Sequence, residues 1–243
     1  MGPHDLIARA GIKTALANHS RGVDRADANL LGAAYHPDAT VDYGFFQGPA
    51  AQLVDMLAAA QKGSLPTLHR TANMWIKVKD DRAVSESYVM AYVEDAEMQR
   101  IVFGRYLDNH ACLNGEWRLT HRTYVLDGST NRPTTAMRAD PPVDNSHFGA
   151  AGAKGASDAG RTLIALAEAS FPGVKPVTAQ PDAAALDAAL SKLAIQDLTM
   201  AYCRGVDRAD FELLRSVFHD DSTVLTGAFN GSGPDFCKHI TTT

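Results

Sequence analysis

Cysteine is scarce in this sequence: Cys112, Cys203 and Cys237 are odd in number and far apart. They form neither a Cys-x-x-Cys pair nor a zinc pattern, so reduced thiols and a cytoplasmic location are expected. Positive charge is not in excess either. A net charge of −5 argues against a general affinity for nucleic acid or anionic membranes. No apolar run approaches the length of a membrane span. The segment Met1-Gly2-Pro3-His4-Asp5 lacks the basic and apolar regions of a signal peptide. Phosphate-binding and nucleophile motifs are missing too: there is no Gly-x-Gly-x-x-Gly after a strand, no P-loop and no Gly-x-Ser-x-Gly elbow. No group of histidines and carboxylates has convincing metal-ligand spacing. The expectation is a pocket that handles a small molecule with neither cofactor nor metal.

What the sequence does contain is a repeat. Arg21-Gly22-Val23-Asp24-Arg25-Ala26-Asp27 returns unchanged as Arg204-Gly205-Val206-Asp207-Arg208-Ala209-Asp210, an offset of 183 residues from Asp24 to Asp207. The offset holds without a gap through Leu30-Leu31 and Leu213-Leu214, Tyr35-His36 and Phe218-His219, and Gly48 and Gly231. The second copy reaches Thr243 without a counterpart of the later half of the first.

The first copy reads as helices followed by strands. Asp5 is placed to cap a helix over residues 6–20, which the Arg-Gly-Val-Asp segment should break. Asp24 or Asp27 can cap a second helix reaching Tyr35, with His36 at its end. Thr40–Tyr43 is a short strand, and Pro49 opens a helix ending near Lys62-Gly63. Four β-type runs follow: Thr67–Lys79, Ala83–Glu94, Arg100–Ala111 and Glu116–Leu126, with turns at Asp80-Asp81, Asp95-Ala96-Glu97 and Asn114-Gly115. This order predicts an α+β fold with helices packed on one face of an antiparallel sheet. Residues 128–160, rich in Pro, Gly, Ala, Asp and Asn, read as a linker, Arg161–Ser170 as a short helix, and 181–202 as the helix opening the second copy. The expected organisation is a domain over 1–130, an arm over 131–180 and a partial repeat over 181–243.

Helix 1, Gly-Val-Asp-Arg-x-Asp, Tyr35-His36-x-Asp38-Ala39, Gly48, His69-x-x-x-Asn73 and Gly115-x-Trp117-Arg118, in this order, resemble a SnoaL-like domain of the nuclear-transport-factor-2-like superfamily. The resemblance covers roughly residues 6–127 and touches 190–231 again. It implies a curved sheet wrapped around a helix-lined conical pocket, and activities such as those of scytalone dehydratase, bile acid 7α-dehydratase and hexachlorocyclohexane dehydrochlorinase. In those branches an aspartate just after helix 1 supports a histidine from the first long strand, the places held here by Asp24 and His69.

Histidine suits a base that removes a proton from carbon, and a carboxylate behind it fixes the tautomer and stabilises the imidazolium. The expected function is thus a cofactor-independent lyase removing water or another small group, formaldehyde included, from a largely apolar aromatic or polycyclic substrate. An isomerase or cyclase of the same fold, or a non-catalytic small subunit of a ring-hydroxylating dioxygenase, stays open. So does the plainer reading of the pair, in which Asp24 only caps a helix and His69 is an ordinary strand residue. His19, five residues before Asp24, is a second acid/base candidate or a solvated helix-end histidine. Tyr106, favoured by the family pattern, and Arg122 are candidate hydrogen-bond donors to a substrate oxygen, and Asn73, Tyr43 and Tyr92 are further candidate contacts. Period-two counting puts His69 with Asn73 on one strand face, Tyr88 with Tyr92, Tyr106 with Asp108 and His110, and Arg122 with Tyr124. The apolar positions of residues 181–243 would be exposed if the segment stood alone. It is therefore expected to pack on its own first domain or on a neighbouring subunit of a dimer or trimer, without forming a second active site.

Overall fold

The structure, a computed structural model, describes residues 2–65, 67–134, 183–226 and 229–242, together with positions 154, 157, 160 and 165. The helix expected over 161–170 and most of the expected arm lie outside the described residues.

The first helix is longer than its sequence suggests. α1 runs Pro3–Asp24, with Gly2 at its N-cap and Pro3 in its first turn. Asp5 is not the cap but sits inside the first turn, where its Oδ2 accepts the Gly2 amide at 2.7 Å. The Arg-Gly-Val-Asp segment does not break the helix. It forms the last turn, and the chain leaves by a double closure. The Ala26 amide donates to the Val23 carbonyl (3.1 Å) and the Asp27 amide to the Gly22 carbonyl (2.9 Å), with Ala26 in the left-handed region at φ +52°. Gly22 serves a neighbour rather than a bend: a Cβ there would lie 2.6 Å from the Leu31 nitrogen, so glycine lets α2 (Ala28–Ala33) cross close to α1. Asp27 caps α2 by accepting the Leu30 amide at 3.0 Å.

α2 stops before Tyr35, which with His36 opens a strand instead of closing a helix. β1 spans Tyr35–Asp42 and β2 Gln47–Pro49; α3 then runs Ala50–Lys62 with Pro49 at its N-cap. Four long strands follow: β3 (Leu68–Lys79), β4 (Arg82–Glu94), β5 (Met98–Leu113) and β6 (Glu116–Pro133). β6 continues through 128–133, where composition suggests a linker, because β5 offers partners as far as Met98↔Pro133. The turn residues behave as their types require. Asn114 and Gly115 both take positive φ (+54° and +83°), and the Asp95 carboxylate accepts the Glu97 and Met98 amides.

The six strands form a curved, unclosed sheet in the order β2-β1-β6-β5-β4-β3, antiparallel throughout except for the parallel β1–β6 pair. α1 packs against β3 and β6 on one face, and α3 against β1. Its core has two parts. Val23, Leu31, Tyr35, Val41, Leu53 and Leu119 pack under α2 and α3, while Ala8, Ile12, Leu16, Ile76, Ala83 and Trp117 pack under the body of α1.

The partial second copy lies against the first. α4 (Ala183–Asp207) packs on β3 and α1, followed by α5 (Phe211–Arg215), the two-stranded β7 (Thr223–Leu225) and β8 (Asn230–Ser232), and α6 (Gly233–Thr242). Its seam with the first copy is polar. Arg9 Nη1 meets Asp197 Oδ1 at 2.7 Å, and Arg204 Nε donates to Glu86 Oε2 at 3.0 Å while its guanidinium lies 5.2 Å from the Trp75 ring centre. Among the described helices, none is long and apolar enough to cross a membrane.

Candidate active site

The end of α1 and the start of β3 meet at one carboxylate. Asp24 is the last helical residue, where a negative charge opposes the helix dipole, yet it is buried at 5 % exposure. Three donors compensate. His69 Nδ1 lies 2.7 Å from Oδ1, the Thr67 hydroxyl donates to Oδ1 at 3.0 Å, and the His69 backbone amide donates to Oδ2 at 2.8 Å. This engagement is far more than the helix cap of the plainer reading, a task that Asp27 performs. A carboxylate against Nδ1 holds the proton on that nitrogen and leaves Nε2 as the unprotonated, reactive atom of the neutral ring. Among the described residues no side chain bonds His69 Nε2. The pair borders a cavity of about 410 Å³ between α1 and the edge strand β3, whose walls include Ser20, Arg21, Arg25, Arg70 and Met74.

Behind the pair lies a closed polar core. His19, 1 % exposed, has Nδ1 3.1 Å from the Tyr35 hydroxyl and Nε2 3.3 Å from that of Tyr43. Burial lowers its pKa well below the usual histidine value, and the Arg122 and His69 charges add to this, so the ring stays neutral. Arg122, wholly buried, is held bidentately by Asp108 (Nε–Oδ1 2.7 Å, Nη2–Oδ2 2.8 Å), with its guanidinium carbon 3.8 Å from the Tyr106 ring centre. Burial opposes its charge, but Asp108, Tyr35 and Tyr43 more than offset that and keep it a cation. Among the described residues its Nη1 has no hydrogen-bond partner, and the same holds for the buried Ser87 hydroxyl and His110 Nδ1. Burial raises the pKa of Tyr35, Tyr43 and Tyr106, so all three are neutral phenols.

The structure therefore brings together most of the residues singled out in the sequence, and it separates two. Asp24 and His69 bond directly. His19, Tyr43, Tyr106 and Arg122 form the adjoining core, with Tyr124 stacked on Tyr43 at 5.6 Å between ring centres. Asn73 does not share the face of His69: it takes φ +46° at a bulge between Ala72 and Trp75, which interrupts the alternation, and it lines another cavity with Tyr88 and Arg208. Tyr92 is opposite Leu68, on the other face from the His69↔Ala91 pair, and donates to Glu94 Oε2 at 2.6 Å. His36 lies on β1 and its Nε2 bonds the Ala111 carbonyl at 2.9 Å, a structural contact. Sequence reasoning missed Thr67, Tyr35 and the bond between Asp108 and Arg122. The spacing of Thr67 from His69 and of Asp108 from Tyr106, two residues each, was the available signal. Among the described residues no group of three or more His, Cys, Asp or Glu is arranged to hold a metal ion.

Two comparisons bear on this arrangement. The family model of the SnoaL-like domain matches residues 4–123 and 187–238, so both the helix–sheet unit and the partial repeat fall within its pattern. The chain belongs to the SnoaL-like family. Among solved structures, that of LinA aligns at TM-score 0.50 and 16% identity over 57% of this chain and 97% of its own. A putative scytalone dehydratase from Novosphingobium aromaticivorans aligns at TM-score 0.48 and 20% identity, over 52% and 88%. A hexachlorocyclohexane dehydrochlorinase, LinA-type3, from Novosphingobium barchaimii aligns at 0.48 and 18%, over 57% and 97%. At such identities the likeness speaks for the fold. No curated protein matches the chain in sequence.

Proposed function

We propose that this SnoaL-like protein is a cofactor-independent lyase that eliminates water or another small group from a largely apolar cyclic or aromatic substrate. The observation that carries the reading is the 2.7 Å bond between Asp24 Oδ1 and His69 Nδ1 at the wall of an open cavity. In the proposed reaction His69 Nε2 takes a proton from a carbon atom of the substrate. The electron pair of that C–H bond forms the new double bond, and the bond to the leaving group breaks. Asp24 stabilises the imidazolium, which then returns its proton to a departing hydroxide to give water.

The test is to incubate the purified protein with a panel of hydroxylated aromatic and alicyclic compounds and follow loss of mass. His69→Ala should lower turnover on any substrate found by about 10³-fold or more while the fold survives. Full activity in that variant would remove the base from the mechanism. Tight binding across the panel without turnover would favour the non-catalytic reading.

A further inference from the structure

The carboxylate of the pair is connected to a lysine far from it in the chain. Lys154 Nζ donates to Gln61 Oε1 at 2.6 Å, to the Gln61 carbonyl at 3.2 Å and to Ser64 Oγ at 2.6 Å. These bonds use all three protons of the ammonium and close the last turn of α3, where a cation suits the helix dipole. They also pin the Gln61 amide with its oxygen toward the lysine. That oxygen is 3.1 Å from Thr67 Oγ1, and Thr67 Oγ1 is 3.0 Å from Asp24 Oδ1, the atom that binds His69.

The Thr67 hydroxyl has one proton and two acceptors, Gln61 Oε1 and Asp24 Oδ1. With Gln61 Oε1 already engaged by an ammonium, the ionised carboxylate is the stronger acceptor and takes the proton. Thr67 is 3 % exposed and Asp24 5 %, so water does not compete for these bonds. We propose that Lys154 is a positioning residue for the Asp24–His69 pair, acting through Gln61 and Thr67 to fix the carboxylate and to temper its pull on the histidine.

The inference rests on the proposed role of the pair, but its test needs no substrate. The charged and titratable groups around His69 are Asp24 and the neutral His19 from α1, Arg21 on the same helix and Arg25 at its C-cap, both at the cavity wall, Arg70 on β3 and Lys154 itself. Burial lowers the Lys154 pKa, Asp24 opposes that and Arg25 adds to it, so the ammonium and the carboxylate already sense one another. Removing Lys154 acts on His69 in one direction by two routes. A positive charge near the imidazolium is lost. Gln61 Oε1 also becomes a freer acceptor, drawing the Thr67 proton from Asp24 and leaving a more basic carboxylate. Both raise the His69 pKa.

The experiment is an NMR titration of the His69 ring in the full chain, assigned by its loss in His69→Gln. Lys154→Met should raise the His69 pKa by about half a pH unit, and Lys154→Arg should restore most of it. In a Thr67→Val background the Lys154→Met shift should shrink to half or less, since the route through the hydroxyl is gone. An unchanged His69 pKa in Lys154→Met would overturn the proposal, however much the melting temperature falls from the loss of the α3 cap. A shift of equal size with and without Thr67 would overturn it as well, because it would show bare charge acting with no relay.

Discussion

The two copies of Arg-Gly-Val-Asp-Arg-Ala-Asp build the same turn and then put it to different uses. Ala26 and Ala209 both take left-handed φ (+52° and +47°), Asp27 and Asp210 both cap the next helix at 3.0 Å, and Gly22 and Gly205 both let that helix approach. The central aspartates differ in their surroundings. Asp24 is buried under three donors from Thr67 and His69. Asp207 is exposed and has Tyr88 of the first copy as its neighbour, with no histidine beside it among the contacts of the described residues. It lies near enough to Tyr88 that burial, with this carboxylate adding to it, pushes the phenol up to about 12, yet that hydroxyl makes no bond of proper geometry. Repetition of the motif is thus explained by the turn, and the pair with His69 is what the first copy adds to it. Arg204 and Arg208 of the second copy meanwhile turn toward the first copy's sheet, at Glu86 and Asp127.

The sharpest test of this contrast changes the two aspartates in parallel. Asp24→Asn should leave the backbone in place but fix the wrong tautomer of His69, lowering turnover by roughly 10²- to 10⁴-fold. Asp207→Asn should leave turnover within about twofold of the parent. Steady-state kinetics on a common substrate decides it; equal losses would mean that the second copy also takes part in the chemistry.

The glycines test what the copies share. A Cβ at Gly22 would meet the Leu31 backbone nitrogen at 2.6 Å, where nothing can move aside without shifting α2. At Gly205 it would meet Leu214 Cβ at 2.9 Å, a slightly looser fit. Gly22→Ala should therefore cost about 3 kcal/mol and Gly205→Ala about 1–2 kcal/mol, read from denaturant unfolding. If neither variant is destabilised, the turn does not explain the repeat.

Legibility in the sequence follows the same division. The antiparallel strands were evident because β-branched and aromatic runs alternate with Asp-Asp and Asn-Gly turns. The pair was evident because its two residues fall at motif positions of a family. The end of α1 was misread because glycine inside a helix usually signals termination. Here it answers to Leu31, nine residues on, a packing demand that local propensity does not encode. Asn73 was assigned to the wrong face because a single bulge shifts the parity of everything beyond it, and no local pattern announced one. β6 outran its expected end because a polar, glycine-containing stretch becomes a strand when a long neighbour supplies partners. The Lys154 contact joins residues 93 positions apart and was invisible to any local pattern.

The smallest of the expected effects concerns buried histidines, again unequal between the copies. His110 in the first copy is 1 % exposed, bonds Ser85 Oγ through Nε2 at 2.9 Å and leaves Nδ1 without a partner among the described residues, whereas His219 and His239 in the second are exposed. Burial lowers the His110 pKa from 6.5 to about 4; Asp108 opposes this shift, and Arg122 adds to it. The sign follows from proton counting. Between pH 6.5 and 4 the unfolded chain protonates this histidine while the folded one does not. Unfolding therefore takes up a proton, and stability falls as the pH is lowered, by about 1.4 kcal/mol per pH unit for one such group. Below about pH 4 both states are protonated and this contribution levels off. His19, shifted the same way, adds to the same acid limb. Unfolding free energies measured from pH 7 to pH 4 should accordingly show a shallower slope in His110→Gln than in the parent. The comparison of slopes separates His110 from the carboxylates, which titrate in every variant alike. Parallel curves for parent and variant would mean that the folded state protonates His110 as readily as the unfolded one, and that its surroundings are wetter than its burial implies.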